Sequence, residues 1–347
     1  MILDAPQVAA PPVGVAVVGV GRIGRLHADL LARRVRGAAL VAVHDAHEEA
    51  ASSVASELGA PSVASLDELL AAPDVDAVAI CTSTDTHADL IVAAARAGKA
   101  VFCEKPLSLR LAELDRALAA VAECGVPFQI GFNRRFDPAH AAVAAAVADG
   151  DIGEPHLARI SSRDPAPPPL EYVKSSGGLF LDMTIHDFDM ARFVTGSEVV
   201  EVFARGAVRV DPLFAEARDI DTAVITLVHE NGCLTTIDNS RQAVYGYDQR
   251  VEVFGSAGMA ASENPLAHTA VVRTKDGTQK PALPYFYLER YIPSYLAEWK
   301  AFASAVSERR TPPVTVADAR APLVIGLAAW RSVREGRPVR VEEVQAA

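Results

Sequence analysis

The sequence predicts an α/β domain built on a parallel sheet, followed by an α+β domain with a large, mostly antiparallel sheet. Three observations carry this. Up to about residue 134, short valine-rich runs alternate with amphipathic helical stretches, the texture of a sheet covered on both faces. Beyond residue 151, β-like segments follow one another with turn signals between them. The 347 residues suit two domains at roughly 150 each, and half are hydrophobic, enough for full cores. The expected boundaries are a loose tail over 1–12, the α/β domain over 13–134 and the α+β domain over 135–347.

A net charge of −11 argues against a general nucleic-acid or anionic-membrane surface. Cys81, Cys103, Cys124 and Cys233 are scattered, with no Cys-x-x-Cys pair, and read as reduced thiols. The start, "MILDAPQVAAPP", lacks the basic and apolar regions of a signal peptide. No apolar run approaches the ~18 residues of a membrane span. A cytoplasmic protein with neither nucleic-acid nor membrane partners is expected.

The first elements are the most informative. Val13 to Val18 is an apolar run too short for a helix, and it leads through Gly19-Val20-Gly21-Arg22-Ile23-Gly24 into a helix carrying Leu26, Leu30 and Leu31. Glycines at Gly19, Gly21 and Gly24 permit a tight turn, close approach of a pyrophosphate and close packing of helix on strand. Arg22 and Ile23 open the helix, whose free N–H groups and positive dipole end suit phosphate. The glycine pattern alone is weak. A second apolar strand, "AALVAVHD", ends at Asp45, where an acidic residue would bind the adenosine ribose hydroxyls. A carboxylate there repels a 2′-phosphate, so NAD is favoured over NADP. The competing reading of Asp45 is an N-cap for "AHEEAASSVASELG".

Strands "DAVAICT", "KAVFCEKP" and "VPFQIGFN" continue the alternation, and their carboxyl ends are where ligands of such sheets bind. Thr82, Ser83, Thr84 and His87 are expected to contact the cofactor, the first three on the nicotinamide side and His87 while capping the next helix; ordinary N-capping is the alternative. Of 33 basic residues only six are lysine, and Lys105 alone sits at such a strand end, between Glu104 and Pro106. Glu104 and Lys105 are therefore placed at the cofactor's reactive end. Pro106 restricts the conformation of Lys105. An ordinary Lys–Glu pair is the alternative; the preferred role is a donor that stabilises a substrate oxygen as charge develops.

In the second domain, Asn231-Gly232 between two β-like segments signals a hairpin. Helices are expected over 138–149, 294–308 and 317–335, and "APPPLEY" is expected as a loop flanking the site. "LDMTIHDFDMARFVTG", residues 181–196, reads as one helix ended by Gly196. At 100° per residue Asp182, His186 and Asp189 fall within about 60° of one another, between apolar flanks. A buried Asp–His network, a metal site and a catalytic face compete as explanations. No further His or Cys stands nearby, so no metal is expected; a base for hydroxyl oxidation is preferred.

Together "EKP" at 104–106, "FNRRFDP", "GGLFLDMTIHDFDMARF" and "YGYDQR" resemble the Gfo/Idh/MocA family of NAD(P)-dependent oxidoreductases over nearly the whole chain, most of all its inositol-oxidising members. The resemblance implies a Rossmann domain plus an open-faced antiparallel sheet that pairs subunits into a homo-oligomer, dimer or tetramer. It implies that Lys105, Asp182 and His186 are catalytic, with His186 as base, Asp182 orienting it and Lys105 holding the reacting oxygen. Arg135, Asp189 and Tyr245 would contact a polyol substrate, with Tyr247 adding a ring face. The implied reaction is NAD-dependent oxidation of a secondary ring hydroxyl of a cyclitol or sugar, with myo-inositol first and scyllo-inositol, an aldose or an anhydrosugar as alternatives. A non-catalytic NAD-binding sensor is the alternative of another class.

Overall fold

The computed structural model describes residues 11–345, so the expected tail over 1–12 falls almost wholly outside the described residues. The chain forms two compact units. The first runs up to Gly131 and also takes in Leu296–Val316; the second comprises Phe132–Tyr295 and the chain from Ala317 onward.

The first unit holds strands β1 (Val13–Val18), β2 (Ala38–His44), β3 (Ala77–Ile80), β4 (Ala100–Cys103) and β5 (Phe128–Ile130), in the spatial order β2-β1-β3-β4-β5. Every pairing is parallel. Strands β1, β3 and β4 are buried along their whole length, as a sheet with helices on both faces requires. The helix Ile292–Ser307 explains the difference from the expected boundary. Its Trp299, Phe302 and Ala303 share one core with Val15, Val17 and Phe102. Nothing in the periodicity of that helix says which sheet receives it.

The second unit holds β6 (Pro155–Arg163), β7 (Val199–Ala207), β8 (Thr222–His229), β9 (Leu234–Ser240), β10 (Asp248–Gly255), β11 (Met259–Ser262) and, after a small hairpin of β12 (Val272–Thr274) and β13 (Gly277–Gln279), β14 (Val339–Arg340). The large sheet runs β11-β10-β6-β9-β8-β7-β14. It is antiparallel except at the β6–β9 pair. Asn231-Gly232 does turn a hairpin, with Gly232 at φ +84° joining β8 to β9. One face packs Ile160, Ile225, Leu227 and Val253 against Phe180, Phe188 and Met190. The other exposes Leu157, Val224, Leu234 and Phe254.

The expected helix over 181–196 is two helices. One covers Gly178–Asp182, the other Ile185–Thr195, and Gly196 closes the second in the left-handed conformation at φ +61°. Asp182 therefore ends one helix and His186 is the second residue of the next. They do not share the continuous face that periodicity implied.

Candidate active site

In the first unit the three glycines divide their roles. A Cβ on Gly19, at φ +88°, would meet the Thr82 nitrogen at 2.7 Å; on Gly24 it would strike the Gly19 carbonyl oxygen at 1.8 Å. On Gly21 it would meet nothing within 4 Å. Two glycines are thus demanded by packing, and the third leaves an open approach to the helix Arg22–Arg33. That helix has Gly21 as its N-cap with no side-chain cap, and the N–H groups that open a helix, here from residues such as Arg22 and Ile23, suit a phosphate. Asp45 follows the end of β2. Its carboxylate accepts from the Val20 N–H at 2.8 Å and the His47 N–H at 2.9 Å, which ties it to the glycine loop. Its neighbour His44 turns the other way, with Nδ1 2.9 Å from the Val63 carbonyl. The N-cap of the helix Glu48–Leu58 is His47, not Asp45. These groups fit a dinucleotide with free ribose hydroxyls.

Ser83 occupies the N-cap of the helix Thr84–Arg96 but makes no cap bond, and Thr84 begins the helix. Thr82 hydrogen-bonds the Thr86 hydroxyl at 2.6 Å. His87 departs from expectation. It is buried, with Nδ1 2.9 Å from the Pro106 carbonyl and Nε2 3.1 Å from the Thr82 carbonyl, and burial lowers its pKa. It braces two loops from beneath instead of facing a ligand. Glu104 departs too: its buried carboxyl lies 2.8 Å from His27 Nε2 and accepts the Lys105 N–H at 3.2 Å. The Trp299 indole N–H donates to His27 Nδ1 at 2.8 Å, so the proton of this imidazole sits on Nε2 and is given to Glu104. Lys105 is half-buried directly after this brace, and its peptide bond to Pro106 is cis.

In the second unit Asp182 is 8 % exposed. Its Oδ1 accepts from the Tyr172 hydroxyl at 2.7 Å, and Arg241 Nη2 lies 2.9 Å from Oδ2. Burial, with the Asp182 charge beside it, pushes the Tyr172 phenol upward, so it stays a donor. Tyr172 lies on the helix Leu170–Ser175, immediately after the three prolines, so the proline loop does lead to the site. Neither Tyr172 nor Arg241 was legible in the sequence, because both reach Asp182 through tertiary packing. His186 is half-buried, its ring edge-on to Phe132 with centroids 6.0 Å apart.

The other expected substrate contacts are placed differently. Asp189 is 1 % exposed, and both its oxygens accept from Arg135, at 2.8 and 2.6 Å. Arg135 also donates to Asp318 at 2.8 Å, which Arg192 shares at 3.1 Å. Arg135 and Asp189 bind each other because a buried carboxylate needs a charged, hydrogen-bonding partner. Tyr245 is half exposed; its hydroxyl donates to Asp248 at 2.7 Å and accepts from Arg163 at 2.8 Å. Tyr247 is buried, edge-on to Tyr291, with its hydroxyl 3.4 Å from Arg134 Nη2.

Two family models match this chain: the oxidoreductase family with an NAD-binding Rossmann fold over residues 13–132, and the GFO/IDH/MocA C-terminal domain over 140–261. The chain belongs to the Gfo/Idh/MocA family. It is 48 % identical over 331 residues to a myo-inositol 2-dehydrogenase of Thermotoga maritima, covering 95 % of this chain and 99 % of that one. A crystal structure of a myo-inositol dehydrogenase from Corynebacterium glutamicum superposes with a TM-score of 0.91 at 39 % identity, over 95 % of this chain and 99 % of that one. A scyllo-inositol dehydrogenase from Lactobacillus casei, solved with NAD(H) and scyllo-inositol, gives 0.89 at 30 % identity, over 96 % and 100 %.

Proposed function

We propose that this protein is an NAD-dependent dehydrogenase that oxidises a secondary ring hydroxyl of myo-inositol to the 2-keto product. What supports the reading is that the first unit carries an open Gly21 approach with Asp45 and the second carries His186 with a doubly bonded Asp182. Bound NAD supplies the hydride acceptor. His186 takes the hydroxyl proton. Asp182, held by Tyr172 and Arg241, keeps a fixed orientation and favours the protonated imidazole. Lys105 donates to the reacting oxygen. Arg135 and Asp189 brace the His186 helix, a role their mutual ion pair supports better than direct substrate contact.

The first reading of substrate follows the Thermotoga maritima relative. The second, scyllo-inositol, is favoured by the Lactobacillus casei protein and by a 38 % identical Bacillus subtilis scyllo-inositol 2-dehydrogenase (NAD(+)). The same reading makes the protein a homo-oligomer joined through the outer sheet face, where Leu157, Val224, Leu234 and Phe254 are exposed. It also places the protein in the cytoplasm, which suits its four free cysteines.

The test is NADH formation at 340 nm with NAD or NADP against a panel of inositols, aldoses and anhydrosugars. Turnover of myo-inositol with NAD is the expected result. Turnover confined to another sugar would move the substrate, and tight NAD binding without turnover on any of them would favour a sensor.

A further inference from the structure

The break between the helices Gly178–Asp182 and Ile185–Thr195 is held by buried side chains that the proposed chemistry does not use. Asp187, next to His186, is 0 % exposed. Its Oδ1 accepts from Arg134 Nη1 at 2.7 Å, and its Oδ2 from Asn239 Nδ2 at 2.8 Å. Asn239 Oδ1 in turn accepts from the Thr184 hydroxyl at 2.6 Å. Thr184 stands at the N-cap of the second helix, yet its side chain makes no cap bond there. The hydroxyl that would ordinarily satisfy the helix is given to β9 instead. All four residues are buried.

We infer that the chain Arg134–Asp187–Asn239–Thr184 positions His186, fixing both where the helix restarts and how its first turn is rotated. Residues 186 and 187 project about 100° apart on a helix, so drawing Asp187 toward β9 sets the direction of its neighbour. Donation converges on the Asp187 carboxylate from both ends of the chain. Arg134 and the Asn239 amide give to Asp187, and Thr184 gives to Asn239, so each acceptor has its donor. The inference rests on the reading of His186 as the base.

The same polarity supplies the test. Asp187→Asn keeps the volume but sets one amide NH2 against another. The exchange Asp187→Asn with Asn239→Asp restores the pattern within the chain: Asn at 187 accepts from Arg134 and donates to Asp at 239, which still accepts from Thr184. The Asn239 amide's contacts with the Ser162 carbonyl at 3.3 Å and the Asp238 carbonyl at 3.2 Å are lost. In the intact oligomer, the single variant is expected to lose at least tenfold in kcat, with NADH affinity and KM for the polyol little changed. The exchange is expected to return kcat to within about threefold of the parent. The His186 imidazole proton resonance should shift in the single variant and return in the exchange. A single variant with parental kcat per folded molecule, or an exchange no better than the single, overturns the inference and leaves the chain a fold-stabilising network. Thr184→Val removes the hydroxyl's contacts with Asn239 Oδ1 and, at 3.3 Å, the Leu179 carbonyl at nearly constant volume, and serves if Asp187→Asn does not fold. It too should lower kcat selectively, and unchanged kcat with only a lower Tm overturns the inference. Failure of the parent to oxidise any inositol would count against the proposed function, while the resonance comparison would still decide the role of the chain.

Discussion

At the glycine loop of the first unit the backbone does the presenting. Gly19 and Gly24 are demanded by atoms within 3 Å of where a Cβ would be, and Gly21 leaves its side open. At the helix break of the second unit, side chains do it: Tyr172 and Arg241 hold Asp182, and Asp187 is anchored to β9 beside His186. The first arrangement is written in local sequence, since only glycine tolerates those contacts. The second depends partly on residues 50 or more positions away, such as Arg134 and Asn239, with Tyr172 ten positions from Asp182. On the proposed function, binding and chemistry are built here by different means and should fail differently.

The largest expected effect is that of His186→Ala. It should lower kcat by about 10²–10⁴, the usual worth of a general base, while NADH affinity measured by fluorescence titration stays within a few-fold. An equal loss of NADH affinity would merge the two regions' roles. Next comes Gly21→Ala, which should fold normally, because its Cβ meets nothing within 4 Å. It should raise the Kd for NAD by about tenfold, since the open side is what the pyrophosphate approaches. Unchanged NAD binding would show that the opening is incidental. Asp45→Ser should weaken NAD several-fold and NADP less, so the ratio of their kcat/KM values moves toward NADP; a ratio that stays put would remove the ribose assignment.

The smallest effect concerns stability alone. His140, whose Nδ1 lies 2.7 Å from the Ser262 hydroxyl, is held down by burial to about 4. Its ordinary value is 6.5, so between those pH values the unfolded chain takes up a proton that the native chain refuses. Stability from this group is therefore lost as pH falls from 6.5 toward 4. Asp187 has the opposite sign. Burial raises its carboxyl to about 6, so its contribution falls as pH rises from 3.8 through that value. Thermal unfolding of the parent and of His140→Gln across pH 4–7 isolates the histidine. The variant should show the flatter acid limb, and parallel curves would contradict the assignment.

Much of the first unit was legible because strands and helices there repeat with short periods and the glycines mark backbone geometry. The Asn231-Gly232 hairpin was legible for the same reason. The stripe of Asp182, His186 and Asp189 was only partly so. Periodicity implies one continuous helix, whereas the Thr184 hydroxyl donates to Asn239 and the helix restarts. The family resemblance implies Arg135 and Asp189 as separate substrate contacts, and an ion pair between them across 54 positions leaves no local trace in the sequence. Glu104 and His87 were read as facing the cofactor because they flank the right loops. Which side of a loop a side chain takes is decided by partners such as His27 and the Pro106 carbonyl.

The brace beneath Lys105 joins three places far apart in the chain: His27, one turn beyond the glycine loop; Glu104; and Trp299, on the helix that returns to the first unit. The three are linked in proton bookkeeping as well as in space. A change from tryptophan at 299 to a residue without an N–H removes the donor that fixes which nitrogen of His27 carries its proton, and so alters what residue 104 can be. An engineer who transplants the Lys105 loop into another member of this fold would therefore carry His27 and Trp299 with it.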